Sequence, residues 1–303
     1  MSERGSRSTM DHIRHTFRAM GTTVIMLAPW VSAREHERVC RRVEAVFTRE
    51  EARFSRFRGT SELTRVNRAA GTWMPVSARF QEVVRLALSQ AERTEGLFDP
   101  TVLGAVIAAG YDRDFDEVLA GARLALQPAP PCGRWAEVEM MEGAVRLPAG
   151  TGLDLGGIAK GFTSDLAAEA VVSAGLPWVL VSAGGDLRLF GDAPPIDVGI
   201  EEPLDPRTSS ARVTLRAGAL ATSSVVARAW GDGLHHVIDP RTGAPSHTDA
   251  LQATVWAPTC AEAEVLATWA LLRGSDAATI YPCAIATAAG DLVMSFPTAA
   301  VAA

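Results

Sequence analysis

LDLGGIAKGF, residues 153–162, joins a strand-like run to a helix start through a small-residue turn. The run Leu153-Asp154-Leu155 alternates in polarity, Gly156 and Gly157 break it, and Lys160 follows just before helical spacing begins. That spacing predicts a helix from near Gly161 to Ala174, stopped by Gly175. N–H groups at a helix start, together with a lysine, can hold a phosphate. Gly156, Gly157 and Gly161 would let backbone approach a ligand closely. The stretch is neither a Walker A sequence nor a GxGxxG fingerprint, so a structural glycine turn is the competing reading.

Working outward, WVLVSA (178–183) reads as a buried strand running into Gly184-Gly185-Asp186. A strand end of this kind suits a ligand, or a tight turn with Asp186 as its acceptor. HHVIDPRTGAP (235–245) spells a turn, and His235 and His236 alternate, so only one of them can face a cleft. His236 is a candidate for acid–base work or an ordinary structural histidine. Thr259 and Glu262 have capping-box spacing and open a helix to about Leu272. On it Glu264 and Thr268 are i, i+4, an oxygen pair suited to Mg²⁺ or simply one face of an amphipathic helix. Upstream, TTVIML (22–27) predicts a strand. Ser32 opens a helix with Val39, Val43, Val46 and Phe47 inward, Ser77 caps another to about Thr94, and VEMMEGAVRL (138–147) predicts a hairpin. Short β-runs follow at 196–200, 211–215, 219–223, 235–238 and 251–257, and CAIATAA and LVMSF close the chain as strands. Without a regular βαβ rhythm, the class is α+β with mixed sheets and helices, not doubly wound. PAPPC (128–132) reads as a surface loop or lobe boundary.

Composition limits the functions. A net charge of −6 argues against nucleic acid or an anionic membrane as main partner. Cys40, Cys132, Cys260 and Cys283 are scattered without a CxxC pair, which points to free thiols rather than zinc or a disulfide framework. Residues 1–15 read as a polar disordered leader, not a signal peptide. No apolar run approaches a membrane span. A cytoplasmic protein is the expectation.

In order along the chain, Met20-Gly21-Thr22, FSRF, SELTRVN, LFDPTV, DLGGIAKGF, SAGGDLRLFG, HHVIDPRTG and the APT…AE helix resemble the motif series of the ApbE family. The resemblance spans about residues 16–297 and implies one ApbE-like domain over 16–300, with an FAD cleft between two lobes. It implies Mg²⁺-dependent transfer of FMN from FAD to a Thr or Ser of an acceptor protein, releasing AMP. Hydrolysis of FAD to FMN and AMP is the enzyme alternative, and a catalytically weakened FAD-binding protein the non-enzyme one. FAD contacts carry over to Met20, Phe57, Leu97, Phe98, Asp99, Asp154, Lys160 and Ile238. Phe57 would stack on a flat ring, the two aspartates would accept from FAD donors, and Lys160 would neutralise pyrophosphate charge. Lys160 is then the expected charge-stabilising catalytic group, and His236 or a nearby carboxylate would take the hydroxyl proton. The implied Mg²⁺ ligands are Gly157, Glu264 and Thr268, with Ala267 standing where a further carboxylate is expected.

Overall fold

The computed structural model describes residues 12–120, 130, 132–231 and 233–296. Its framework is an eight-stranded sheet: β1 (His12–Ala19), β2 (Thr22–Pro29), β3 (Trp178–Ala183), β4 (Asp186–Gly191), β5 (Gly218–Ser224), β6 (Ala250–Ala257), β7 (Cys283–Thr287) and β8 (Leu292–Met294). Strands neighbour one another in chain order and each pair is antiparallel. Helices connect and cover these strands without parallel crossovers, so the fold is α+β as expected.

The N-terminus corrects one expectation. Residues 12–15, read as leader, are already strand, paired to β2 over His12↔Pro29 through Ala19↔Thr22. In HIRHTFRA, Ile13 and Ala19 are buried while His12, Arg14, Thr16 and Arg18 are exposed. One apolar face is enough for an antiparallel edge strand, and the basic residues on the other face disguise it. Residues 1–11 lie outside the described residues, as does most of PAPPC.

Four helices matter for the site: α1 (Ala33–Phe54), α2 (Ala78–Arg93), α3 (Ala159–Val172) and α4 (Cys260–Arg273). Ser32 and Glu35 form a full capping box on α1. Ser77 Oγ accepts from Phe80 N–H at the start of α2. Thr259 caps α4 through Glu262 N–H, but the Glu262 carboxylate pairs with Arg93 of α2. A second cap comes from α3: the Asp165 carboxylate accepts Cys260 N–H at 2.9 Å and Ala261 N–H at 3.0 Å. The two helices are thereby fixed end against side.

Helices α1, α3 and α4 pack on one face of the sheet, burying Val43, Phe47 and Val181 at one end and Val255, Leu271 and Ile285 at the other. A long hairpin, Ile196–Glu202 with Asp205–Leu215, covers the opposite face over Trp178, Leu180 and Leu220. Beside this body, α2 packs with a three-stranded sheet of Trp73–Pro75, Ala144–Arg146 and Glu139–Met141, the last two being the expected hairpin. The run 235–238 does not form one strand: it divides between Leu234–His235 and Ile238–Asp239.

Gly161 also departs from expectation. A methyl group built there would lie 2.4 Å from the Cys260 carbonyl oxygen, so the glycine lets α3 approach α4 and not a ligand.

Candidate functional site

Every site residue singled out from the sequence, Gly161 and Ala267 excepted, lines one cavity of about 1010 Å³. That is at the upper end of the roughly 300–1,000 Å³ typical of small-molecule sites, suited to a large nucleotide. Met20 enters from the turn between β1 and β2. Ala19 pairs with Thr22, leaving Met20 at φ +51° and Gly21 at +68°. Both signs suit a two-residue hairpin turn, but a left-handed methionine costs about 1–2 kcal/mol. The Met20 side chain packs against the apolar clusters around Phe54 and Phe47 and lines the cavity.

Leu97, Phe98 and Asp99 follow a second left-handed pair, Glu95 at +53° and Gly96 at +76°. Leu97 and Phe98 are buried wall residues. Asp99 corrects the resemblance in part. Its Oδ1 accepts Thr101 N–H at 2.7 Å and the Thr101 hydroxyl at 2.5 Å, and its Oδ2 accepts Gly133 N–H at 2.7 Å. The carboxylate is therefore engaged in holding its own loop.

The DLGG segment is pinned from two sides. Asn67 bonds both backbone groups of Leu153, at 2.8 and 2.9 Å, and Asp154 N–H donates to Pro100 at 2.8 Å. Asp154 Oδ1 then accepts Gly156 N–H at 2.7 Å, while Oδ2 faces Arg56 Nε at 3.5 Å. The Arg56 guanidinium is stacked 4.3 Å from the centroids of both Phe57 and Tyr111. Phe57, 41% exposed, lines the cavity with its ring against this guanidinium. Arg56 lies inside the FSRF motif without having been picked out, and Tyr111 and Arg228, which donates to the Tyr111 hydroxyl at 3.3 Å, line the cavity yet carried no signal in the sequence.

Lys160 stands in the first turn of α3. Its Nζ contacts Glu264 Oε1 directly, lies 3.0 Å from Asp186 Oδ2, and donates to Gly156 O at 3.4 Å. Burial disfavours its charge, but Asp186 and Glu264 outweigh that and hold the ammonium above its usual pKa. Asp186, read as a turn acceptor or ligand residue, is therefore part of this charge cluster. Glu264 Oε2 accepts Gly161 N–H at 2.8 Å. Burial pushes the Glu264 carboxyl up, and the Lys160 ammonium in direct contact opposes that rise and favours the carboxylate.

Glu264 and Thr268 both face the cavity, with Leu272 one turn further along the same stripe of α4. A methyl built on Gly157 would lie 3.7 Å from Thr268 Oγ1, so Gly157 neighbours Thr268, and all three expected metal positions line the same cavity. Carboxylate, hydroxyl and carbonyl oxygens are a hard donor set that fits Mg²⁺. Ala267 does not belong to it. The residue is 0 % exposed and packs in the apolar cluster of Ala219, Val255 and Leu271. Position i+3 from Glu264 turns into the core, so alanine there removes no ligand from the cavity.

His236 lines the cavity while His235 turns away, with Nε2 3.1 Å from Ser246 O. The His236 Nδ1 is sealed from solvent and has no hydrogen-bond partner among the described residues. Burial, then the neighbouring charge of Arg228, lowers its pKa to about 3, so the ring is neutral at physiological pH. The four cysteines are free. Among the described residues no helix is long and apolar enough to cross a membrane.

Comparison with known proteins completes the picture. The model of the ApbE family matches residues 20–282. The chain is 32% identical over 280 residues to an FAD:protein FMN transferase of Treponema pallidum, covering 79% of this chain and 77% of that protein. It is 28% identical over 276 residues to one of Klebsiella pneumoniae, covering 86% and 78%. In structure it is similar to the ApbE protein of Thermotoga maritima, with a TM-score of 0.81 at 23% identity over 94% of this chain and 97% of that one. It is also similar to the flavin transferase ApbE of Vibrio cholerae, with a TM-score of 0.76 at 23% identity over 95% and 99%.

Proposed function

The chain belongs to the ApbE family, and on that premise we propose that it is an FAD:protein FMN transferase. FAD is its substrate and a second protein its acceptor. The observation that carries this reading is the convergence of separate sequence segments, from Met20 to Thr268, on one nucleotide-sized cavity with Lys160 at its charged end.

In the proposed reaction a Thr or Ser hydroxyl of the acceptor attacks the FMN phosphorus. The new O–P bond forms as the pyrophosphate P–O bond breaks, and AMP leaves. Met20 and Phe57 would frame the flat flavin. Lys160 would neutralise charge on the pyrophosphate oxygens. Gly157, Glu264 and Thr268 would hold Mg²⁺, which supplies further charge neutralisation when bound. His236 would take the hydroxyl proton. It is neutral and so able to accept; burial is the main cause of its low basicity, and incoming phosphate charge would offset the smaller repulsion from Arg228. The case for a weakened relative rested on Ala267, and burial of that residue among apolar neighbours supports the transferase reading over it. The free thiols suit a reducing compartment, and the cytoplasm is the proposed setting.

The test is incubation with FAD, Mg²⁺ and candidate acceptor proteins, following AMP release and covalent flavin fluorescence on the acceptor. Acceptor-dependent AMP release supports the proposal. AMP release that ignores the acceptor makes water the nucleophile, and no AMP with any divalent cation defeats the enzymatic reading.

A further inference from the structure

Lys160 is the only lysine in the 303-residue chain. Its ammonium has three oxygens around it: Glu264 Oε1 in direct contact, Asp186 Oδ2 at 3.0 Å and Gly156 O at 3.4 Å. This is a small cation sphere, and Glu264 belongs both to it and to the proposed Mg²⁺ donors. Glu264 and Asp186 are 3 % and 2 % exposed. Two carboxylates buried this deeply need a cation between them.

We propose that Lys160 is the resident counter-ion of the metal site, displaced from Glu264 when a divalent cation enters. Asp186 is then the positioning residue that keeps the ammonium in the cavity. It suits the task because it stands outside the proposed donor set of Gly157, Glu264 and Thr268. It is also anchored, accepting Thr222 N–H at 3.3 Å on β5. Two carboxylates and one ammonium carry a net −1, and a divalent cation turns that to +1. Metal entry thus converts a cluster that repels pyrophosphate into one that attracts it, and frees Lys160 to meet it. Metal and FAD should therefore bind with positive coupling, and the coupling is reciprocal. The inference rests on the cavity being an FAD and Mg²⁺ site.

Manganese titration of the FAD-free protein by calorimetry tests the exchange. Lys160→Met should bind Mn²⁺ at least about tenfold more tightly than the parent, because no ammonium competes for Glu264. Equal or weaker binding overturns the proposal. A readout on the unaltered protein guards against misfolding of the variant. Incorporated [¹³Cε]lysine gives one side-chain NMR signal, that of Lys160, and Mg²⁺ added with FAD should move it from its metal-free position. A signal that stays fixed while FAD and metal bind overturns the exchange. For Asp186, Mn²⁺ should tighten FAD binding by the parent more than about fivefold, within the usual range of coupling, and by Asp186→Asn less than about twofold. Equal coupling in both removes Asp186 from its role. A protein that binds no FAD, yet shows tighter Mn²⁺ binding in Lys160→Met, defeats the functional reading and leaves the exchange standing.

Discussion

Gly161→Ala adds one methyl group where α3 crosses α4. In a free helix the change would stabilise by about 1 kcal/mol, because alanine is the better helix former. Here the new carbon would lie 2.4 Å from the Cys260 carbonyl oxygen, 2.6 Å from its carbon and 2.7 Å from Ala261 nitrogen. All three are backbone atoms that no rotamer change can move. Ordinary contact requires the helices to part by about 1 Å, and overpacking of this kind costs roughly 1–3 kcal/mol. The same displacement strains the Gly161 N–H bond to the Glu264 carboxylate and the two Asp165 bonds that cap α4. A hydrogen bond to a charged group contributes roughly 1.5–3 kcal/mol. Set against the helix-propensity gain, the expected net loss is about 2–4 kcal/mol, read as a lower urea midpoint with an unchanged slope. AMP release from FAD should fall further than stability does, since Lys160 and Glu264 sit on the two helices being separated. A variant as stable as the parent, or more stable, would show that α3 and α4 do not meet at this glycine.

Ala267→Asp should destabilise by several kcal/mol, as expected of an unpaired carboxylate placed in an apolar cluster, with no gain in Mg²⁺ affinity. Thermal melts with and without Mg²⁺ decide, and a larger metal-induced rise in Tm than the parent's would return position 267 to the site. His236 sets the sign of one pH effect. A folded pKa of about 3 against 6.5 unfolded means that the unfolded chain binds the extra proton, so this residue's share of stability falls as pH drops from 6.5 towards 3. The slope is about 1.4 kcal/mol per pH unit, and His236→Asn should flatten denaturation curves taken across that window by this amount. Met20→Gly should raise stability by about 1 kcal/mol by relieving the left-handed backbone, while weakening FAD binding. Loss on both counts in melts and flavin titrations would show that the strain is not there.

The parts of the fold set by local chemistry could be read in the sequence. Ser32 with Glu35, Ser77, and the Glu142-Gly143 turn all form as their spacing demands. What stayed hidden depends on contacts distant in sequence. β1 looks like a polar leader because its inward residues find partners only once α1 and α3 pack behind it. Asp186 looks like a turn residue until α3 brings Lys160 beside it. Arg56 sits in the FSRF motif, but its partner Tyr111 is 55 positions away and in no motif, so the pairing could not be read. Asp99 shows the reverse failure: its position in the cavity was legible, but the engagement of its oxygens with Thr101 and Gly133 was not. Ala267 was misplaced because i+3 and i+4 from Glu264 diverge at the boundary between cavity and core.

The order of strands in the main sheet has a consequence for synthesis. Strand β2 ends at Pro29, and its next neighbour, β3, begins at Trp178, about 150 residues later. On a ribosome adding roughly 5–20 residues per second, the β1–β2 hairpin waits about 8–30 s with the inner edge of β2 unpaired. Its apolar face, with Val24, Met26 and Ala28, is exposed for the same interval, apart from what α1 can cover. The nascent chain therefore carries a sticky open edge through half of its translation, which makes the hairpin the segment most in need of a chaperone before the sheet can close.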